Sequence, residues 1–194
     1  MSRGKLVLII GPSGVGKSVV LKALLRRQAE FRFPRSATTR QRRAGESDDL
    51  YRFVTEEEFD DLAARGAFLE SAVVHGGARY GTLMDEIIPH IERGEIVVRE
   101  VDVQGFDSIR THKLFRGPGA PYRLESVFLL PESREQLIER IRSRAPIAEE
   151  ELKRRIASME QEMTYAGLCS AEIVNREGAI EETIREVEKV VLSR

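Results

Sequence analysis

Apolar residues fall along this chain in short unbroken runs and in longer stretches of helical period. Lys5–Ile10 is a continuous apolar run, short enough for a buried parallel strand. Phe68–Val74, Ile96–Val103, Leu124–Leu130 and Glu172–Asn175 read as further strands, with Pro131 ending the run that precedes it. Helices are predicted over Val19–Arg27, Thr55–Arg65, Leu83–Arg93, Glu135–Arg144, Glu149–Tyr165 and Ala179–Leu192. Thr55 and Glu58 have the spacing of a capping box, and Gly66 stops that helix. Pro89 interrupts the next one and predicts a kink or an early break before Gly94. Pro34 blocks helical continuation after Phe31. The segments His75–Gly81 and Lys113–Arg123 read as loops, the second rich in turn residues. The succession predicts an α/β fold: a central, mainly parallel sheet with helices on both sides.

Between the first strand and the first helix stands Gly11-Pro12-Ser13-Gly14-Val15-Gly16-Lys17-Ser18, which fits the phosphate-loop pattern G-x-x-x-x-G-K-[ST]. Glycine lets the backbone approach phosphate oxygens closely. The loop amides and the helix N-terminus then point at negative charge. Lys17 adds a mobile cation for the β- and γ-phosphates, and Ser18 offers a hydroxyl to Mg²⁺. Strand, glycine loop and helix are the context that this motif requires, so nucleotide binding is expected.

Bulk properties narrow the class. The 194 residues carry a net charge of −1, which implies one domain and no general grip on polyanions such as nucleic acid. Cys169 stands alone, so neither an internal disulfide nor a cysteine-rich zinc site is expected. His75, His90 and His112 are widely separated and read as structural or surface residues. No apolar run has membrane-spanning length and the N-terminus lacks a signal-peptide pattern, so a soluble cytoplasmic protein is the default expectation.

The segment Arg35–Glu46 interleaves Arg35, Arg40, Arg42 and Arg43 with Ser36, Thr38 and Thr39. Such a run is either a solvated basic loop or a second anion site; hydroxyls among arginines suit phosphate oxygens because both donate hydrogen bonds. Ser36-Ala37-Thr38-Thr39-Arg40 with Arg43-Ala44-Gly45-Glu46, then Tyr51-Arg52-Phe53-Val54, Phe68-Leu69-Glu70, Tyr80-Gly81-Thr82 and Val101-Asp102-Val103-Gln104-Gly105 follow the phosphate loop in order. Together with the arginine-bearing segment near 140–155 and Ile173-Val174-Asn175, they make the chain resemble the guanylate kinase family over almost its whole length.

The resemblance implies roles residue by residue. The ATP site comprises Gly11, Pro12, Ser13, Gly14, Val15, Gly16, Lys17 and Ser18, with Asn175 near the adenine or, equally, a plain turn residue. The GMP site comprises Ser36, Arg40, Arg43, Tyr51 and Tyr80 around the acceptor phosphate, Glu70 and Thr82 on the guanine, and Asp102. Guanine presents two donors, N1–H and the 2-amino group, and an acceptor at O6. A carboxylate accepts from both donors and a hydroxyl donates to O6, whereas adenine leaves the carboxylate unpaired. Lys17, Arg40, Arg140, Arg144 and Arg155 are the implied catalytic residues, the last three as lid arginines that stabilise spreading phosphoryl charge. Mg²⁺ is the implied cofactor, held by Ser18 and, through water, by Glu100 or Asp102. The chain departs from the family pattern in Glu100 where aspartate is usual, in Arg99 before it, and in Ala145-Pro146 where the lid usually turns on glycine.

The implied fold is a P-loop three-layer α/β/α core at 1–33, 92–131 and 167–194, with a GMP-binding subdomain at 34–91 and a helical lid at 132–166. The implied reaction is transfer of the ATP γ-phosphoryl group to GMP, and to dGMP, by a monomer or homodimer acting on small molecules. The acceptor phosphate is already anionic, so no strong general base is required. Two other readings stay open: a kinase of this family for another nucleotide or a sugar phosphate, and a catalytically inactive protein-binding module. Intact Glu70 and Thr82 argue against the first, and the complete phosphate loop against the second.

Overall fold

The structure is a computed structural model and describes residues 4–27, 31–43, 46, 48, 51–73, 77–143 and 148–193. His75 and Gly76 of the predicted loop, and Arg144 and Ala145-Pro146 of the predicted lid, lie outside the described residues. In chain order the elements are β1 (Lys5–Ile10), α1 (Lys17–Arg27), β2 (Phe31–Arg32), β3 (Ser36–Thr38), β4 (Tyr51–Phe53), α2 (Glu56–Ala64), β5 (Phe68–Val73), β6 (Arg79–Leu83) and α3 (Met84–Glu92). They continue with β7 (Ile96–Glu100), α4 (Val103–Thr111), β8 (Arg123–Pro131), α5 (Arg134–Ser143), α6 (Glu149–Met163), a 3₁₀ turn (Ala166–Leu168), β9 (Ala171–Asn175) and α7 (Ile180–Leu192).

The strands form two sheets. One has five strands in the order β2-β7-β1-β8-β9, with the β2–β7 and β8–β9 pairs parallel. This is the mainly parallel α/β sheet that the strand–helix succession predicts. The other has four strands in the order β4-β3-β6-β5; β3 pairs β4 in parallel, and β6 pairs both β3 and β5 antiparallel. The chain divides into two compact units: Met1–Leu6, Glu30–Arg99 and Gln104–Leu124 make the first, and Val7–Ala29, Glu100–Val103 and Glu125–Arg194 the second.

In the first unit, α2 covers one face of the four-stranded sheet. Its entry is the predicted capping box: Thr55 Oγ1 accepts from Glu58 N–H and Glu58 Oε2 accepts from Thr55 N–H. Phe59 and Leu62, three residues apart on its inner side, pack with Ala37 and Leu83 of the sheet. Each such side chain contributes on the order of 1.5–3 kcal/mol through burial. Phe59 stacks on Phe68 at a centroid distance of 4.6 Å. Every residue of β1 is buried, as a strand covered on both faces must be. Val20 and Leu24 of α1, and Ile184, Val187 and Val191 of α7, bury at helical spacing.

Several expectations are corrected. Arg79, Tyr80 and Gly81 of the predicted loop, and Leu83 of the predicted helix, belong to strand β6, because its backbone is paired on both sides. Gly81 sits there because a Cβ would lie 2.6 Å from the Phe68 ring. Helix α3 passes through Pro89 to Glu92 without breaking, although proline has no N–H to offer the carbonyl one turn before it. Strand β7 ends at Glu100 rather than Val103, and residues 103–111 form α4, which buries Gly105, Phe106 and Ile109. Pro131 is the last residue of β8 rather than a stop before it. The arginine-rich segment contains β3, which is too short for any periodic signal. The loop after α4 folds back on its own unit: Phe115 is buried, and the Tyr122 hydroxyl donates to Glu92 at 2.7 Å.

Candidate functional site

The phosphate loop leaves the end of β1 and enters α1 at Lys17. Two glycines are dictated by space as well as conformation. Gly11 has φ +146°, and a Cβ there would lie 2.5 Å from the Leu129 carbonyl oxygen. Gly16 has φ +107°, and its Cβ would meet Asn175 Nδ2 at 2.6 Å. The first turn of α1 carries no acidic residue, so its N-terminal dipole is left for an external anion. Lys17 Nζ donates to the carbonyls of Gly11 (2.6 Å) and Pro12 (3.2 Å), which folds the cation back over the loop. The Ser13 N–H donates to Glu162 Oε2 at 3.2 Å, so one loop amide already holds an anionic oxygen.

Asn175, at the end of β9, is 5% exposed. Its Nδ2 donates to the Val15 carbonyl at 2.7 Å and its Oδ1 accepts from Thr183 Oγ1 at 3.0 Å. It therefore ties the loop to α7. Ser18 Oγ donates to Glu100 Oε2 at 2.9 Å, so the longer glutamate reaches the loop hydroxyl directly. These two hard oxygens at the carboxyl end of β7 suit a small divalent cation that also binds phosphate and water. Asp102 is exposed in the link between β7 and α4.

The predicted acceptor residues come together through strand register. Ser36 pairs with Tyr51 on β4 and with Thr82 on β6, and Thr82 pairs with Glu70 on β5. Paired residues share a sheet face, so Tyr51, Ser36, Thr82 and Glu70 form one row across all four strands. Tyr80, two residues before Thr82, lies on the same face. Its ring stands edge-on to Tyr51 at 5.8 Å. Ala37, one residue from Ser36, points to the opposite face and into the α2 core. Glu70 reaches the row through a bulge: the pairing shifts between Phe68 and Glu70, without which Leu69 would stand opposite Thr82. Thr82 Oγ1 donates to Glu70 Oε1 at 2.5 Å.

Arg40 continues this surface. Its Nε donates to the Tyr80 hydroxyl at 3.0 Å, and its guanidinium lies 5.3 Å from the Tyr51 ring centre. Its Nη2 donates to Glu46 Oε1 at 2.6 Å, and Glu46 Oε2 also accepts from the Arg43 N–H at 3.1 Å. The Arg40 hydrogen bond, then the Arg43 amide, hold the Glu46 carboxyl at about 2 against an ordinary 4.5. Glu46 in turn raises the pKa of Arg40, so both stay charged at neutral pH. The Arg43 side chain is exposed.

The predicted lid arginines differ in setting. Arg140 is half-buried near the end of α5. Arg155 Nε pairs with Glu151 one turn away on α6 at 3.0 Å, an exposed pair of small energetic consequence. Arg134 joins α5 to α6 by donating from both Nε and Nη2 to Glu160. Among the described residues, no group of three or more His, Cys, Asp or Glu residues is disposed to hold a metal. Likewise, no helix there is long and apolar enough to cross a membrane.

Reading the sequence alone missed three contributors. Glu46 organises the arginine segment, Thr183 backs Asn175, and Arg99 donates to Ser36 and Thr82 of the row. Arg99 carried a signal, being a charged residue inside an apolar strand; Thr183 carried none.

Comparison with known proteins agrees with this geometry. A family model described as guanylate kinase matches residues 3–194. A guanylate kinase of Prochlorococcus marinus is 40% identical over 190 residues, covering 97% of each chain. One from Caldanaerobacter subterraneus is 36% identical over 189 residues, covering 97% of this chain and 85% of that protein. The crystal structure of guanylate kinase from Anaplasma phagocytophilum superposes with a TM-score of 0.71 at 26% identity, covering 98% of this chain and 85% of the other. The chain belongs to the guanylate kinase family.

Proposed function

We propose that this chain transfers the γ-phosphoryl group of ATP to GMP, giving ADP and GDP, and accepts dGMP as well. The observation that carries this reading is the cross-strand row Tyr51–Ser36–Thr82–Glu70, which presents two hydroxyls, a phenol and a carboxylate on one sheet face. Glu70 accepts from guanine N1–H and the 2-amino group, and Thr82 donates to O6. Ser36, Tyr51, Tyr80, Arg40 and Arg43 receive the acceptor phosphate, with Asp102 beside the nucleotide. The loop Gly11–Ser18 and Lys17 hold the ATP phosphates, with Asn175 keeping the loop in shape.

The Ser18 hydroxyl and Glu100 carboxylate fit Mg²⁺, with Asp102 acting through water. Bound with the nucleotide, the ion supplies charge neutralisation at the β- and γ-oxygens. Arg140, Arg144 and Arg155, on a lid spanning 132–166, stabilise the charge that spreads over the transferring group. The segment 34–91 presents the acceptor. Since the acceptor phosphate is an anionic nucleophile, the protein's work is positioning and exclusion of water rather than proton removal.

A coupled assay with ATP across GMP, dGMP, AMP, UMP and IMP tests this reading. GMP and dGMP are expected to turn over with kcat/KM about 10⁴-fold above AMP. Equal turnover of AMP would remove the guanine reading, and no binding of ATP at millimolar concentration would favour a protein-binding module.

A further inference from the structure

Strand β7 buries Val97 and Val98 and, next to them, a charged residue. Arg99 is 8% exposed, between Val98 and Glu100. A guanidinium in such a place is costly unless every bond it makes is well directed. Its Nη1 donates to the Pro34 carbonyl at 2.5 Å, and its Nη2 donates to Ser36 Oγ at 2.5 Å and to Thr82 Oγ1 at 3.1 Å. It thus grips the two hydroxyls that stand side by side in the row.

The direction of these bonds is fixed without locating any hydrogen. Guanidinium donates and never accepts, and it keeps its charge at all working pH values. Ser36 and Thr82 must therefore accept from it, and each hydroxyl keeps a single proton to give away. Thr82 gives its proton to Glu70, so the polarity runs one way, from Arg99 through Thr82 to the carboxylate. A hydroxyl that accepts from a cation is a stronger donor and a poorer acceptor than a free one.

We infer that Arg99 is a positioning and specificity-determining residue for the acceptor nucleotide: it turns Ser36 and Thr82 into donors aimed at the ligand, and so favours a phosphate oxygen at one and a ring carbonyl oxygen at the other. When a guanine engages Glu70 through its own N–H groups, the Thr82 proton is released to O6. An adenine brings an amine to the same hydroxyl, which already faces a cationic donor. The selection against adenine then comes from Arg99 as well as from Glu70. The inference rests on the proposed GMP reading of this row.

Arg99→Leu and Arg99→Lys test it, with KM for GMP and for ATP, the GMP-to-AMP ratio of kcat/KM, and thermal melting measured on each. In Arg99→Leu the KM for GMP is expected to rise by about 10- to 100-fold. The KM for ATP should stay within about two-fold. The GMP-to-AMP ratio should fall by about ten-fold. Arg99→Lys keeps the charge but not the fork, and should recover part of the loss. A melting-competent Arg99→Leu with unchanged GMP KM and unchanged ratio would overturn the inference. So would a parallel rise in both KM values, which is what a purely structural rivet predicts. Should Arg99→Leu fail to fold, Arg99→Lys decides: a GMP-only rise in KM of about 3- to 10-fold supports the inference, and no change overturns it. Failure of the unaltered chain to phosphorylate GMP would instead remove the proposed function, and this inference with it.

Discussion

On the proposed reading, the phosphate loop and the four-strand row solve the same problem, holding an anionic nucleotide, in opposite ways. The loop is eight consecutive residues whose donors are mostly backbone amides, fixed by a strand end, a helix start and glycines that nothing larger can replace. The row draws single side chains from four strands, and its assembly depends on register, on one bulge and on a buried arginine bonded to two of its hydroxyls. A backbone cradle binds any polyphosphate and is written locally. A side-chain row discriminates between bases and is written only in the pairing of distant segments. Catalytic power should therefore fail most steeply at the first, and selectivity at the second.

The largest effect is expected at Lys17→Ala, which removes the loop's only side-chain cation. Turnover should fall by about 10³-fold or more. Melting should change little, because the bonds that Lys17 Nζ gives to the Gly11 and Pro12 carbonyls lie within the loop itself. Retained turnover would break the contrast at once. Next comes Glu70→Gln, which puts a donor where the guanine amine also donates. The kcat/KM for GMP should drop by about 10²-fold while the KM for ATP holds. A matched loss for both substrates would mean that the row is not a separate reader.

Gly81→Ala probes the row through its scaffold. The added methyl meets the Phe68 ring at 2.6 Å and the Glu70 carbonyl at 3.3 Å, beside the bulge. A loss of about 1–3 kcal/mol in stability is expected, with a raised KM for GMP; chemical denaturation and initial rates measure both.

The smallest effect is acid-dependent. Glu46 titrates at about 2 in the folded chain against 4.5 ordinarily. Its contribution to stability is therefore complete above about pH 4.5 and lost as pH falls toward about 2. Glu46→Gln should make the decline of Tm across that window shallower. Glu95 is held at about 2 chiefly by His90 and then Arg32, so it preserves the rest of the decline.

The legibility of each region follows from how it is encoded. The loop, the Thr55–Glu58 capping box and β1 are contiguous patterns and were readable as such. β3 and β4, of three residues each, are shorter than any period. β6 has a glycine at its centre, which mimics a loop until Phe68 is seen above it. Glu70 and Thr82 were reachable only by resemblance, since nothing local announces a bulge. Asn175 was found by position, yet its partners, Val15 and Thr183, emerge only in three dimensions. Arg99 stood out as a charge in an apolar strand; that it underlies Ser36 and Thr82 required the fold.

The central claim, that the four-strand row receives GMP while the glycine loop receives ATP, is tested most directly by titrating isotope-labelled protein with GMP alone and following backbone amide shifts. Saturating GMP is predicted to move Ser36, Tyr51, Glu70, Tyr80 and Thr82, with Gly11 to Ser18 responding only when ATP is added. Shifts confined to the loop, with the row unmoved at saturating GMP, would contradict the account.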